Sequence, residues 1–194
     1  VLDISLRNES EARVRSQSRS YLALARLNEA VARAESETEL FRKVCNIAVV
    51  HGGFIGAWVL TKGPGSSLRM KASAGPLATR LAVDSVESGS IDNFLSEQLR
   101  ALRRAGKPEP GAMEVLTTGE ASFTDDFAAD RRDYPGHADG DWIRCAASLP
   151  LRTQGHTVAS LSLYSDRPGA FEESLRKLLL GAADGLLDAM GASF

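Results

Sequence analysis

The stretch RCAASLPLRTQGHTVASLSLYS, residues 144–165, alternates apolar and small polar side chains on both sides of the turn sequence TQGH. This pattern predicts two antiparallel strands, because successive side chains of a strand point to opposite faces of a sheet. The small polar face leaves room either for a small ligand or for a closely packed helix. Pro150 lies inside the first strand and predicts an edge or a bulge there, since proline cannot donate to the ladder. One face would carry Cys145, Ala147, Leu149, Leu151, Ala159, Leu161 and Leu163, and the other Ser148, Ser160 and Ser162.

Length and composition restrict the class of protein. The 194 residues suit one domain with an appendage, and 43% hydrophobic with 25% charged residues is ordinary for a globular chain. A net charge of −2 argues against a nucleic-acid partner. No apolar run is long enough to cross a membrane, and no signal-peptide pattern opens the chain. Cys45 and Cys145 are too few for a disulfide framework or a Cys-rich zinc site, so we expect a cytoplasmic location with no membrane partner.

Residues 9–35 contain no Gly or Pro and predict one long helix. Its thin apolar stripe is close to heptad spacing, and Asn28 falls in the same row, as a buried polar residue does when it sets coiled-coil register. A helix of about 27 residues, roughly 40 Å long, cannot bury this stripe on a small sheet alone, so we expect a homodimer. We assign residues 1–35 to a signalling helix and 36–194 to the main domain. The predicted interface residues on this helix are Val14, Tyr21, Leu24, Asn28 and Val31.

The middle of the chain alternates predicted helices and strands. A second helix would begin at a Ser36 or Thr38 cap and end at the two glycines 52–53. A first hairpin follows, with Leu68, Met70, Ala72 and Ala74 on one face of its second strand. Helices are predicted at about 90–105 and 111–119, and a third strand at ASFTDDF.

The last helix, within residues 170–191, has two apolar stripes. One contains Phe171, Leu175, Leu178, Ala182, Leu186 and Met190, and the other contains Leu180 and Leu187. Two stripes indicate two partners, one of them the chain's own sheet. We therefore assign Leu180 and Leu187 to the dimer interface.

Four stretches together resemble the GAF domains of bacterial sensor proteins. They are ARLNEAVARAESETELFRKVCNIAVVHGGFIGAWV, TTGEASFTDDFAADRR, IRCAASLPLRTQGHTVASLSLYSDRPGAF and the last helix. The resemblance implies an α+β fold: a central antiparallel sheet with an entering and an exit helix on one face. The roof of a ligand pocket, from residues 76–110 and 128–143, would cover the other face.

The same resemblance implies a place in a signalling protein. Relatives of this kind precede domains that make or hydrolyse cyclic-di-GMP, or histidine kinases. No GGDEF, EAL or kinase motif occurs in the sequence. We therefore expect a covalently linked output domain outside this chain, in a parent diguanylate cyclase, phosphodiesterase or histidine kinase.

The implied pocket takes polar residues from the roof and the closing hairpin. The carboxylates among them either cap loop amides or favour a cationic or hydroxylated small molecule, whose identity the sequence does not specify. A third alternative is a spacer that dimerises and binds no ligand. The candidate ligand-binding residues are Asp125, Asp126, Asp133, Tyr134, His137, Asp141, Trp142, Arg144 and Ser148.

We expect no cofactor, and two cofactors, haem and bilin, are the alternatives. His137 is the one histidine placed over the implied pocket and could serve as an axial haem ligand, as in some GAF sensors. Attachment of a bilin would need a cysteine in the roof, and none lies between 76 and 143.

An enzymatic alternative comes from DYPGHADGDW, residues 133–142, which is similar to the FPGH-x-x-C-D stretch of free-methionine-sulfoxide reductases. Asp141 matches the family's aspartate, but Gly140 occupies the position of the catalytic cysteine. Without a thiolate there is no nucleophile for the sulfoxide, so we expect no catalytic residues in this chain.

Overall fold

The computed structural model describes residues 2–127, 129 and 142–191. Six helices and five strands follow one another in these residues, with short 3-10 turns at Pro64–Ser66 and Val86–Ser88. The helices are α1 (Leu2–Arg33), α2 (Glu37–Val50), α3 (Pro76–Asp84), α4 (Ile91–Arg104), α5 (Gly111–Thr118) and α6 (Glu173–Gly191). The strands are β1 (Gly56–Lys62), β2 (Leu68–Ala74), β3 (Ser122–Thr124), β4 (Cys145–Thr153) and β5 (His156–Ser165).

The five strands form one antiparallel sheet in the order β2-β1-β5-β4-β3. This arrangement confirms the predicted α+β fold with a central antiparallel sheet. Helix α3 was not predicted; it begins at Pro76, whose fixed φ suits the first turn of a helix. Among the described residues, no helix is both long and apolar enough to cross a membrane.

The β4–β5 hairpin has the predicted register. Leu149 pairs with Leu161 and Ala147 with Leu163 on one face, while Ser148 pairs with Ser162 on the other. Pro150 lies at a local edge of the sheet, which is one of the two predicted arrangements. The β3–β4 pairing reaches only as far as Ser148, so no described strand pairs with Pro150 on the β3 side of β4. The missing N–H of proline therefore costs no ladder bond to a strand there.

Strand β2 differs from the predicted simple alternation because it contains a β-bulge. Val59 pairs with Ala72 and Leu60 with Met70, so Lys71 has no partner across the ladder. One extra residue reverses the faces of the side chains that follow it. Leu68 and Met70 therefore pack on one face of the sheet, and Ala72 packs with Ala74 on the other.

One face of the sheet packs against α1, α2 and α6, and we call its apolar contents the helix-side core. Ala30 of α1 is buried, and Leu27 and Val31 pack against this core, so the C-terminal half of α1 belongs to the packed structure. Helix α2 begins at Ser36, whose Oγ accepts a hydrogen bond from the Glu39 N–H at 3.2 Å. The helix-side core consists of Leu40, Phe41, Val44, Cys45, Phe54, Ala57, Val59, Cys145, Ala147, Leu149, Leu151, Ala159, Leu161, Leu163, Phe171, Ala183, Leu186 and Leu187.

The opposite face packs against α3, α4 and α5, and we call its apolar contents the roof-side core. Helix α4 is joined to the outer strand by Asp92, whose Oδ1 accepts from the Met70 N–H at 2.8 Å. The roof-side core consists of Trp58, Leu60, Leu68, Leu77, Leu81, Leu95, Leu99, Ala112, Met113, Phe127, Ile143, Ala146 and Tyr164.

Candidate functional site

Three aromatic side chains meet in the roof-side core. Trp58 and Tyr164 are diagonal neighbours on β1 and β5, with ring centroids 4.3 Å apart. Phe127 approaches Tyr164 edge-on, at 6.4 Å and 76°. Offset and edge-on pairs of this kind add to the free energy gained from burial, so the cluster stabilises the packing on the roof side of the sheet.

Phe127 and Trp142, which lie on either side of residues 130–141 in the sequence, both pack in or against the roof-side core. The Phe127 N–H donates to the Arg144 carbonyl at 3.0 Å, and the Arg144 N–H donates to the Ser165 carbonyl at 2.8 Å. These bonds bring Phe127 and Arg144 to the end of β5. Four candidate residues, Asp133, Tyr134, His137 and Asp141, lie within residues 130–141, outside the described residues.

Of the other candidates, Trp142, Arg144 and Ser148 lie on or beside the roof side. Trp142 is half-buried against the roof-side core, and the Arg144 side chain is exposed. Ser148 is buried, with its Oγ 3.0 Å from the Ser162 Oγ.

The two candidate aspartates have partners within the described structure. Both Asp125 oxygens accept from Nη2 of Arg176, which places this carboxylate against α6 and separates it from the roof-side candidates. The Asp126 Oδ1 accepts from the Ala129 N–H at 3.2 Å, so this carboxylate caps a loop amide.

The small polar face of the hairpin is closely packed by α5. A Cβ at Gly111 would lie 3.2 Å from the Ser148 Oγ and 3.3 Å from the Ser122 Oγ, so a larger residue would crowd these two hydroxyl groups. Ser160 is buried, and its Oγ has no hydrogen-bond partner among the described residues. At Ser148, helix α5 therefore lies against the small polar face.

The two cysteines lie in the helix-side core, on the face opposite the aromatic cluster. Burial raises the pKa of the Cys45 thiol to about 12. The Cys145 Sγ lies 3.3 Å from the Asp125 carbonyl oxygen and 3.2 Å from that of Arg167. No three His, Cys, Asp or Glu side chains of the described segments come together as a metal site.

A second surface with functional potential runs along α1 and α6. Val14 and Tyr21 are 59% and 70% exposed, and Asn28 is also exposed. Leu24 and Val31 are half-buried and line a groove between the two helices, together with Leu178, Gly181 and Gly185.

The exit-helix stripes need one correction. Leu187 is only 4% exposed and belongs to the helix-side core, so it is not available to a partner, whereas Leu180 is 38% exposed. Leu187 and Ala183 face the sheet, whereas Leu178 and Ala182 line the groove beside α1. The apolar stripe that faces the sheet is therefore rotated from the predicted one.

Sequence reasoning missed the aromatic cluster. Trp58 and Tyr164 each sit in a strand that was predicted, and their positions could have been assigned to the roof side by alternation from Ala57 and Leu163. Phe127 follows β3 in a loop, where no periodic signal exists.

The fold defines the chain as an α+β domain whose single antiparallel sheet is covered by helices on both faces. The family model described as GAF domain matches residues 34–190, and the chain belongs to this family. No curated protein sequence matches the chain.

Solved structures share the fold at low sequence identity. Free methionine-R-sulfoxide reductase from Neisseria meningitidis, in complex with its substrate, is 13% identical over 90% of this chain and 89% of its own, with a TM-score of 0.64. The GAF domain of the Acinetobacter phosphoenolpyruvate-protein phosphotransferase is 12% identical over 88% and 92%, with a TM-score of 0.62. A domain from a putative two-component sensor histidine kinase of Sinorhizobium meliloti 1021 is 15% identical over 82% and 94%, with a TM-score of 0.53.

Proposed function

We propose that this chain is a sensory domain that binds a small molecule on its roof side and signals through paired helices to an output domain beyond this chain. GAF domains are commonly regulatory, and the similar structures include domains of a sensor kinase and of a phosphotransferase. By this analogy the parent is a cytoplasmic signalling protein, either a histidine kinase or an enzyme of cyclic-di-GMP turnover. The chain itself supplies no catalysis.

The observation that carries the proposal is the set of bonds between α6 and the strand ends. Arg176 bonds Asp125, which is two residues from Phe127 in the aromatic cluster. Further along α6, the Asp184 Oδ1 accepts from Arg152 at 3.0 Å, and the Asp188 Oδ1 accepts from the Gln154 N–H at 3.0 Å. A shift of the strand ends is therefore passed directly to the exit helix.

The homodimer is supported by the outer surface of α1. Exposed apolar side chains between residues 4 and 22 of this helix have no cover within the described chain, and water contact with such a surface is unfavourable. A second copy would bury it, at about 25 cal/mol per square ångström of apolar area. These side chains are Ile4, Leu6, Val14, Tyr21 and Leu22.

Light scattering across protein concentrations tests the dimer. Val14→Asp and Tyr21→Asp should each shift the chain toward a folded monomer, because they place a charge in the pairing surface. Val158→Asp is the matched control, since Val158 is 42% exposed and lies on β5, outside the two proposed pairing helices. A wild-type chain that is monomeric at every concentration would overturn the pairing mechanism.

Thermal-shift screening with polar metabolites and cyclic nucleotides tests the roof-side site. A stabilising compound should lose its effect in Arg144→Ala or Tyr134→Ala. Flat curves throughout would favour the spacer alternative, which the close packing of α5 on Ser148 also favours. The haem alternative requires a Soret band that disappears in His137→Ala, and we expect a colourless protein.

The positions of the thiols disfavour the reductase alternative. Both thiols are buried in the helix-side core, and the raised pKa of Cys45 keeps it protonated at neutral pH. Reduction of free methionine sulfoxide by a chain carrying both Cys45→Ser and Cys145→Ser would contradict a purely sensory role.

A further inference from the structure

A largely apolar cavity, open to solvent on one side, lies on the helix side of the sheet, between α1, α2 and α6. Its volume is about 90 Å³, and it is separated from the aromatic cluster by the thickness of the sheet. Its walls include Leu27 of α1, Val44 of α2, Phe54, Leu163 of β5 and Leu179 of α6. An apolar space of this kind is suited to a small hydrocarbon group.

Two arginines from different elements meet at the mouth of this cavity. Arg19 of α1 and Arg167 of the β5–α6 loop both belong to its lining. A Cβ at Gly53 would lie 3.3 Å from Nη1 of Arg19 and 3.9 Å from Nη2 of Arg167, so both guanidinium groups reach the same glycine. Gly53 has a φ of +74°, which explains why the α2–β1 loop presents bare backbone at this point.

Neither guanidinium is neutralised within the described structure. No carboxylate of residues 2–127, 129 and 142–191 forms an ion pair with Arg19 or Arg167, and the lining of the cavity contains no Asp or Glu. Two cations that converge repel each other unless an anion lies between them. Of the hydroxyl groups on this rim, that of Ser20 already donates to the Ser16 carbonyl at 3.0 Å.

We propose that this cavity binds a small amphipathic carboxylic acid. Its carboxylate would accept hydrogen bonds from Arg19 and Arg167, and its apolar tail would occupy the space between Leu27, Phe54 and Leu179. Charge-assisted bonds from arginine to a carboxylate are among the strong polar contacts. The cavity is smaller than the cavity of about 150 Å³ that holds a benzene ring, so it suits an unbranched tail of about four or five carbons. This site lies on the opposite face from the roof-side site and does not depend on it.

Occupation of the cavity would affect the helices that the proposed dimer uses. The acid would contact α1 through Arg19 and α6 through Leu179, so it would favour the state in which α1 is packed on the sheet. The chain would then report two chemically different signals, one on each face of the sheet.

Titration of hexanoate into the ¹⁵N-labelled full chain, followed by amide chemical shifts, tests the site. We expect saturable shifts at Phe54 and Leu163, with a dissociation constant of about 1 mM for so small a ligand. Hexanol, which has the same tail without the charge, should bind at least about tenfold more weakly.

Substitutions separate the charged mouth from the apolar wall. Arg19→Gln and Arg167→Gln should each weaken hexanoate at least about tenfold and leave hexanol unchanged. Arg15→Gln, one turn away on α1 and 78% exposed, is the control and should change neither ligand. Ala23→Leu should fill the cavity and remove binding of both ligands, with its fold checked by circular dichroism.

Three results would overturn the proposal. The first is the absence of saturable shifts up to about 20 mM hexanoate. The second is equal affinity for hexanoate and hexanol, together with arginine variants that bind hexanoate as the wild type does. The third is a set of shifts confined to the neighbourhood of Trp58 and Trp142. If Ala23→Leu does not fold, the arginine variants alone decide the test.

Discussion

Asp125 and Arg176 form an ion pair that joins the end of β3 to the exit helix: Nη2 of Arg176 lies 2.6 Å and 2.7 Å from the two oxygens of Asp125. The same arginine donates from Nε to the Phe171 carbonyl at 2.7 Å and lies 4.6 Å from the centroid of the Phe123 ring. One side chain therefore connects β3, the loop before α6, and α6 itself.

The energy of this pair is measurable by a double-mutant cycle in urea. We expect a coupling free energy of about 0.5–1 kcal/mol between Asp125→Asn and Arg176→Gln, because the Asp125 side chain is 63% exposed and solvent screens the pair. Arg176→Gln alone should cost more than Asp125→Asn, since it also loses the contact with the Phe123 ring. Lys177→Gln, whose partner Glu173 lies within the same helix, is the control and should cost less than either. Additive effects at 125 and 176 would show that the pair does not tie the helix to the strand.

Gly111→Ala tests the close packing of α5 on the small polar face. The new Cβ would press on the Ser148 and Ser122 hydroxyl groups, and overpacking of this kind costs about 1–3 kcal/mol of unfolding free energy. Gly181→Ala is the matched control, because a Cβ at Gly181 has no neighbour within 4 Å. Urea unfolding should separate the two; a neutral Gly111→Ala would mean that α5 stands off the sheet and leaves room for a guest.

Gly185→Ala is expected to stabilise the isolated chain. Gly185 lies within α6, its Cβ position is empty to 4 Å, and replacement of a helical glycine by alanine contributes about 0.5–1 kcal/mol. Calorimetry at low protein concentration should show a higher melting temperature. Since Gly185 also lines the groove beside α1, Gly185→Leu should weaken the proposed dimer in light scattering while the monomer stays folded. A Gly185→Leu dimer of unchanged strength would place the partner elsewhere.

The buried Cys45 predicts a loss of stability at alkaline pH. Its folded-state pKa, about 12, lies above its ordinary value of 9.0, so the folded chain holds this proton more tightly than the unfolded chain does. The contribution of the Cys45 thiol to the free energy of unfolding is fully present below about pH 9 and is lost as the pH rises toward 12. The free energy of unfolding falls over this range by at most about 1.4 kcal/mol per pH unit. Cys45→Ala should reduce the slope of unfolding free energy against pH in this range. Rapid alkylation of Cys45 in the native chain at pH 8 would contradict its burial.

The accuracy of the sequence-based expectations follows from how local each signal is. The β4–β5 register was predictable because one buried face in strict alternation specifies which way each side chain points. The bulge at Lys71 was not predictable, because the sequence of β2 alternates regularly and the extra residue is recognisable only from the pairing with β1. Leu187 was misassigned because helical periodicity defines a stripe but not which stripe meets the sheet. Of the candidate ligand residues, Trp142 and Ser148 lie on the roof side of the sheet, as the sequence predicts. Asp125 instead pairs with Arg176, and this contact has no local signal because the two residues are 51 positions apart in the sequence.

The two outer strands bear on how copies of this chain can assemble in a crowded cell. At one edge of the sheet, β3 is only three residues long, and Pro150 of the neighbouring strand β4 has no N–H to donate. At the other edge, in β2, the Met70 N–H already donates to the Asp92 carboxylate. Exposed edges of this kind, when long and unprotected, recruit strands from other molecules and lead to fibres. The short β3 and the occupied Met70 amide both disfavour such growth. We therefore expect arrays of these domains to resist strand exchange even at high local concentration.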